Sequence, residues 1–220
     1  MSLKKLINKT IPYIEPYDKC AKALEIMNSF KISELPIVTK ADMHYIGLVS
    51  ETDLLNCNKN MPVVEIGILK NIFVDFSKHI FDVLEMVSTL KISVLPVTDS
   101  NGTYLGAVTY KTIIETMAEE TSAYSQGGII EIETDTKNFS PALIAGVSEN
   151  NSMKVMSLLT HRKGKEKMKA TIKFNSQDIS GVVQGLEKRG YNVREIHHSD
   201  TKYNDLLQER YNALISFLNV

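Results

Sequence analysis

Lys31-Ile32-Ser33-Glu34-Leu35-Pro36-Ile37 returns, sixty residues on, as Lys91-Ile92-Ser93-Val94-Leu95-Pro96-Val97. Five of the seven positions are identical, and Ile37/Val97 is a near match. Further along, Tyr45-Ile46-Gly47-Leu48-Val49-Ser50 aligns with Tyr104-Leu105-Gly106-Ala107-Val108-Thr109 at an offset of fifty-nine. The lost residue falls in the connecting turn, six residues in the first copy (Thr39 to His44) and five in the second (Asp99 to Thr103). A polar hairpin tip tolerates such an insertion at little cost, and Asp99-Ser100-Asn101-Gly102 is strong hairpin chemistry. Two copies sharing order, spacing and turn position are an internal repeat.

Each copy reads in the same order. A short extended piece comes first, Thr10 to Ile14 and then Ile72 to Val74. A helix follows, from near Asp18 with Cys20, Ala23, Leu24, Met27 and Phe30 on one face, and from near Ser77 with Ile80, Val83, Leu84, Val87 and Leu90 inward. The Leu-Pro-Ile/Val strand, a hairpin and the Gly-x-Val-Ser/Thr strand come next. Final helices are predicted over Glu51 to Asn56 and Lys111 to Ala118. Neither copy carries enough apolar surface to stand alone. The two are therefore expected to pack about a pseudo-two-fold axis, which leaves clefts between them.

The chemistry concentrates in Gly47-Leu48-Val49-Ser50-Glu51-Thr52-Asp53. A strand feeding a helix N-terminus leaves backbone N–H groups free for an anion, and Ser50 adds a hydroxyl there. A carboxylate only accepts, so the natural partner of Asp53 is a pair of hydroxyls such as a ribose 2′,3′-diol. Ser-x-x-Asp is equally a capping box that starts a helix.

The residues Ile32 to Ile37 followed by Gly47 to Leu54, with the second copy in register, resemble a tandem pair of CBS domains (a Bateman module) over about residues 6 to 118. That family commonly binds adenosine derivatives in its clefts. The resemblance implies Asp53 on the ribose hydroxyls and Ser50 near the phosphate. It also implies Thr10, Ile11 and Pro12 lining the cleft, and Leu35, Pro36 and Ile37 packed on the adenine. AMP, ADP, ATP and S-adenosylmethionine are the candidate ligands, as regulators rather than catalytic cofactors. In the second copy Leu95, Pro96, Val97 and Thr109 keep the pattern, but Thr112 stands where Asp53 does. A single hydroxyl cannot replace a carboxylate as acceptor for two O–H groups, so this site is expected to be degenerate. Lys111 and His79 read as solvated rather than as phosphate contacts.

From Glu119 to Gly128 the apolar periodicity lapses into a linker signature. Beyond it a strand at Ile129 to Ile132, a helix opening at Pro141, strands over Met153 to Leu159 and Met168 to Phe174, a helix over Gln177 to Arg189 and a strand over Tyr191 to Ile196 are predicted. The order β-α-β-β-α-β is ferredoxin-like. It resembles an ACT domain, on the Asp135 loop before the first helix and on Glu149-Asn150-Asn151 before the second strand. That family binds amino acids or other small metabolites and pairs across dimers. The bulky Asn138-Phe139-Ser140-Pro141 replaces the glycine usual in that loop, so dimerisation and transmission are the expected role. Tyr203, Leu207, Tyr211, Leu214 and Leu218 form an amphipathic helical stripe suited to docking.

The expected fold class is thus α/β (α+β). The expected divisions are repeat 1 at 1–58, repeat 2 at 59–119, a linker at 120–128, the ACT-like domain at 129–199 and a C-terminal helix at 200–220. The CBS–CBS–ACT order resembles that of acetoin-utilisation accessory proteins.

A net charge of −1 over 220 residues leaves no electrostatic footprint for nucleic acid. The basic run His161 to Lys167 reads as a solvated hairpin tip. No apolar run is long enough to cross a bilayer, and the N-terminus lacks the core of a signal peptide. Two sparse cysteines, Cys20 and Cys57, fit a reducing cytoplasm. His197-His198 has no further ligand at metal spacing. With no nucleophile elbow, phosphate-binding loop or dinucleotide fingerprint, the chain reads as a non-catalytic, homodimeric, cytoplasmic sensor of an adenosine compound. The alternative is an amino-acid sensor acting through the ACT-like domain, with the repeats as scaffold.

Overall fold

The computed structural model describes residues 3–67 and 69–197. The chain divides into two compact units, Met1–Thr116 and Met117–Val220. The first unit contains α1 (Cys20–Phe30), β1 (Glu34–Thr39), β2 (His44–Ser50) and α2 (Glu51–Leu55). The second copy supplies β3 (Val74–Asp75), α3 (Ile80–Leu90), β4 (Val94–Thr98), β5 (Tyr104–Thr109) and α4 (Tyr110–Glu120). Cys20, Ala23 and Met27 of α1, and Ile80, Val83 and Val87 of α3, are the buried stripe. Phe30 and Leu90, predicted inward, are 51% and 43% exposed. They sit on the last turn, where Lys31 and Lys91 (both φ 54°) end the helices in the left-handed conformation.

The repeat extends to the residue pairings. Leu35 faces Val49 and Ile37 faces Gly47 in β1–β2, as Leu95 faces Val108 and Val97 faces Gly106 in β4–β5. Each ladder carries a bulge at the same place, between Ile37 and Val38 and between Val97 and Thr98. The first predicted extended piece shrinks to a single bridge and the second to the two-residue β3. Ile14 pairs in parallel with Ile37, and Val74 of β3 with Val97.

The segment ahead of each copy crosses to the other. Asn8 exchanges both backbone hydrogen bonds with Ala107 (2.9 and 3.2 Å), and Lys70 does the same with Leu48 (2.9 and 3.2 Å). The hairpin tips also meet, with Tyr45 N–H donating to Gly102 O and Tyr104 N–H to Met43 O. Val94 and Ala107 of the second copy share one apolar cluster with Ile14, Cys20, Met27 and Leu54 of the first. The two copies are one folded body with a pseudo-two-fold relation.

The second unit holds β6 (Ile129–Asp135), α5 (Pro141–Asn150), β7 (Val155–Lys163), β8 (Lys167–Phe174), α6 (Ser180–Glu187) and β9 (Asn192–His197). The sheet order is β7-β8-β6-β9, antiparallel throughout, which is the ferredoxin-like arrangement. Ile130, Ile132, Ala170, Ile172 and Phe174 meet Ile144 and Val147 of α5 and Val182, Val183 and Leu186 of α6 in its core. The opposite face is charged. Lys169 pairs with Glu131, Lys163 and Arg194 with Glu133, and Lys167 with Asp135. Most of the basic run therefore lies on strands, and the turn narrows to residues 164–166. The expected helix over 200–220 and His198 lie outside the described residues.

Candidate functional site

Ser50 ends β2 in an extended conformation (φ −98°, ψ 156°) and caps α2. Its hydroxyl and its N–H both donate to Asp53 Oδ2 (2.5 and 3.3 Å), while Asp53 N–H donates to Ser50 Oγ (3.3 Å). The capping box is thus formed. The Lys70 ammonium, on the crossing segment, lies 3.6 Å from Asp53 Oδ2. Burial pushes the Asp53 carboxyl upward in pKa, but the Ser50 hydrogen bonds and Lys70 outweigh it and hold the group below the ordinary carboxylate value. At neutral pH it is an ionised acceptor.

Asp53 borders a hollow of about 330 Å³ with Glu34, Ser50, Lys70 and the end of α3 around Lys91. The hollow therefore takes walls from both copies. Its counterpart across the pseudo-two-fold, about 490 Å³, is bordered by Thr109, Lys111 and Thr112, by Asn8 and Ile11, and by the end of α1. Thr109 and Thr112 hold one another at 3.2 Å between hydroxyls, and Thr109 Oγ1 accepts from Thr112 N–H.

The crossing of the leading segments redistributes the expected site residues. Ile11 borders the Thr109/Thr112 hollow and not the Asp53 hollow, and Thr10 and Pro12 border neither. Lys70 takes the place by Asp53 that the family resemblance implied for the first extended piece. Leu35 and Ile37, and Leu95 and Val97, are fully buried, and Pro36 and Pro96 are buried beside them. None of the six borders either hollow. In this structure they are strand core behind the site. His79 caps α3, its ring nitrogen accepting from Phe81 N–H, and Lys111 lies 3.9 Å from Glu115.

Sequence reading passed over Glu34. It is 8% exposed, and Oε2 accepts from Ser93 N–H (2.7 Å) and Ser93 Oγ–H (2.5 Å) of the other copy. The signal was present as the one charged mismatch between Lys31–Ile37 and Lys91–Val97, Glu34 against Val94.

In the second unit, Asp135 is held by Lys167 at 2.9 Å, which lowers its pKa. The loop that follows is tied shut. Tyr191 donates its O–H to Asn138 O (3.1 Å) and accepts from Ser140 N–H (3.0 Å), and Phe139 packs on the core. Among the described residues no cluster of His, Cys, Asp and Glu is placed to hold a metal, and no helix is long and apolar enough to cross a membrane.

A sequence profile described as the CBS domain matches residues 3–60 and 63–119. No curated protein matches the chain. Among solved structures, a CBS domain pair/ACT domain protein from Thermotoga maritima is 24% identical, covering 54% of this chain and 98% of its own, with a TM-score of 0.49. The CBS domains of a transcriptional regulator from Streptococcus pneumoniae are 20% identical over 52% of this chain and 98% of theirs (TM-score 0.48). A structure of CBSX2 in complex with AMP is 19% identical over 54% of this chain and 96% of its own (TM-score 0.47).

Proposed function

Because the chain belongs to the CBS domain family, we propose that it is a non-catalytic regulatory protein that binds an adenosine-containing small molecule in the Asp53 hollow. The observation that carries the reading is the placement of an ionised, acceptor-only carboxylate in the lining of a hollow walled by both copies. A ribose diol supplies the two donors such a group lacks. The second hollow, with Thr112 in place of the carboxylate, is the weaker site.

A ligand that touches β2, α2, the Lys70 segment and the end of α3 together favours one packing of the copies. That difference in affinity is what a regulatory ligand has to work with. The ferredoxin-like unit is read as an ACT-like module for dimerisation and transmission in a cytoplasmic homodimer. The loop closed by Tyr191 supports that role over amino-acid binding. The CBS–CBS–ACT order of acetoin-utilisation accessory proteins is the finer resemblance and points to metabolic regulation.

Calorimetric titration with adenosine, AMP, ATP and S-adenosylmethionine tests the reading. At least one is expected to bind the wild type, and Asp53→Ala is expected to weaken it roughly ten- to a hundredfold, the worth of a charge-assisted hydrogen bond at about 1.5–3 kcal/mol. Binding by none, or binding indifferent to Asp53→Ala, overturns it.

A further inference from the structure

Resting on that reading, we propose that the Asp53 hollow selects adenosine compounds whose 5′ group is uncharged or cationic, and that Glu34 is the residue that turns 5′-phosphates away. Glu34 stands directly opposite Ser50 in the β1–β2 ladder. Directly paired residues on one face carry their side chains within about 5 Å of each other. Ser50 opens α2, the place where a phosphate would seek backbone donors, so a buried carboxylate stands beside that place.

Four of the donors at the head of α2 are committed, the Thr52 N–H being the exception. Helix α2 has only five residues, and the end-charge of so short a helix is small. The Ser50 hydroxyl and N–H go to Asp53, Asp53 N–H goes to Ser50, and Glu51 N–H goes to Ser33 O (2.8 Å). Both hydrogen bonds received by Glu34 end on Oε2. Among the described residues Oε1 has no hydrogen-bond partner, and it is left for a cation or a donor.

Two lysines also border the hollow, and their positions decide the balance. The Lys70 ammonium lies against Asp53 and offsets that charge. Lys91 is exposed, so its field is screened by water and salt. Glu34, 8% exposed, acts with the least screening of the four. The repeat gives an internal contrast. In the other copy Val94 replaces Glu34 and Thr112 replaces Asp53. Two carboxylates absent from the equivalent positions of the second copy thus lie in one hollow, one suited to the sugar and one set against a phosphate. The cationic sulfonium of S-adenosylmethionine is the 5′ substituent that best fits this arrangement.

The experiment is calorimetric titration of the full chain with S-adenosylmethionine, adenosine, AMP and ATP, on wild type, Glu34→Gln, Glu34→Val and Asp53→Ala. The wild type is expected to bind S-adenosylmethionine at least tenfold tighter than AMP or ATP. Glu34→Gln, which keeps a polar side chain of the same size for Ser93, is expected to close that ratio about tenfold, and Glu34→Val to do likewise. Because the ratio is read within each variant, a general loosening of the copies does not imitate the effect. If AMP or ATP binds the wild type as tightly as S-adenosylmethionine, through Asp53, the selectivity is wrong and the adenosine site stands. An unchanged ratio in both Glu34 variants removes Glu34 as the selector. If none of the four compounds binds, the site reading and this inference fall together.

Discussion

Asp53 and Ser50 are the pair of side chains on which two readings meet. The sequence allowed either a capping box or a ribose acceptor, and in the structure the box is formed while the carboxylate still borders a hollow. Its lowered pKa fixes the sign of a pH effect. A carboxyl held below its unfolded value, near 4, stabilises the fold fully above that value and loses the contribution as pH falls through the lower folded value. Asp53→Ala is therefore expected to cost about 1 kcal/mol at pH 7, with the gap to wild type closing in acid. Denaturant titrations at pH 7, 5 and 3 check this, and a gap that widens toward pH 3 contradicts it. The repeat supplies a second comparison. Tyr45 donates its hydroxyl to Ile72 O, whereas the buried Tyr104 hydroxyl has no partner among the described residues. Tyr45→Phe is expected to cost about 1 kcal/mol and Tyr104→Phe close to nothing. The same logic applies to Thr98, whose buried hydroxyl has no partner among the described residues and stands where the first copy has Val38. Thr98→Val is expected to raise the melting temperature.

At the scale of elements, the hairpins, the helices and the ferredoxin-like order were legible because their signals are local. Alternation, turn chemistry and an i, i+3, i+7 stripe all sit within about ten residues. The exchange of leading segments was not legible, because nothing near Asn8 or Lys70 says which copy it will pair with. That non-local step is why Ile11 lies with Thr109 and Thr112, and why Lys70 reached Asp53 unforeseen. Gly106 makes the exchange testable. Its φ of +134° suits glycine, and a Cβ there would stand 2.6 Å from Ile7 Cγ2 and 3.0 Å from Asn8 O. Gly106→Ala is expected to cost on the order of 2 kcal/mol and to speed hydrogen exchange at the Asn8 and Ala107 amides. Gly47→Ala, where a Cβ would meet Leu69 Cβ at 3.0 Å without the strained φ, is expected to cost less. Equal losses would mean that the leading segment is not held through Gly106.

For the whole molecule, the two units carry separate cores and separate chemistry. Scanning calorimetry is expected to resolve two transitions, the behaviour of units that fold on their own cores. A saturating adenosine ligand is expected to raise chiefly the transition of the unit that holds the hollow, by about 2.7 kcal/mol at a hundred times its dissociation constant. A shift confined to the ferredoxin-like unit would move the binding site there and revive the amino-acid-sensor reading. The central claim is narrower still, namely that the Asp53 carboxylate grips a ribose diol. The most direct measurement is a cycle of four titrations, adenosine and 2′-deoxyadenosine against wild type and Asp53→Ala. A preference of about tenfold for adenosine in the wild type, abolished in the variant, is the expected result. Two proteins that treat the two nucleosides alike, or a preference that survives the loss of Asp53, would contradict it.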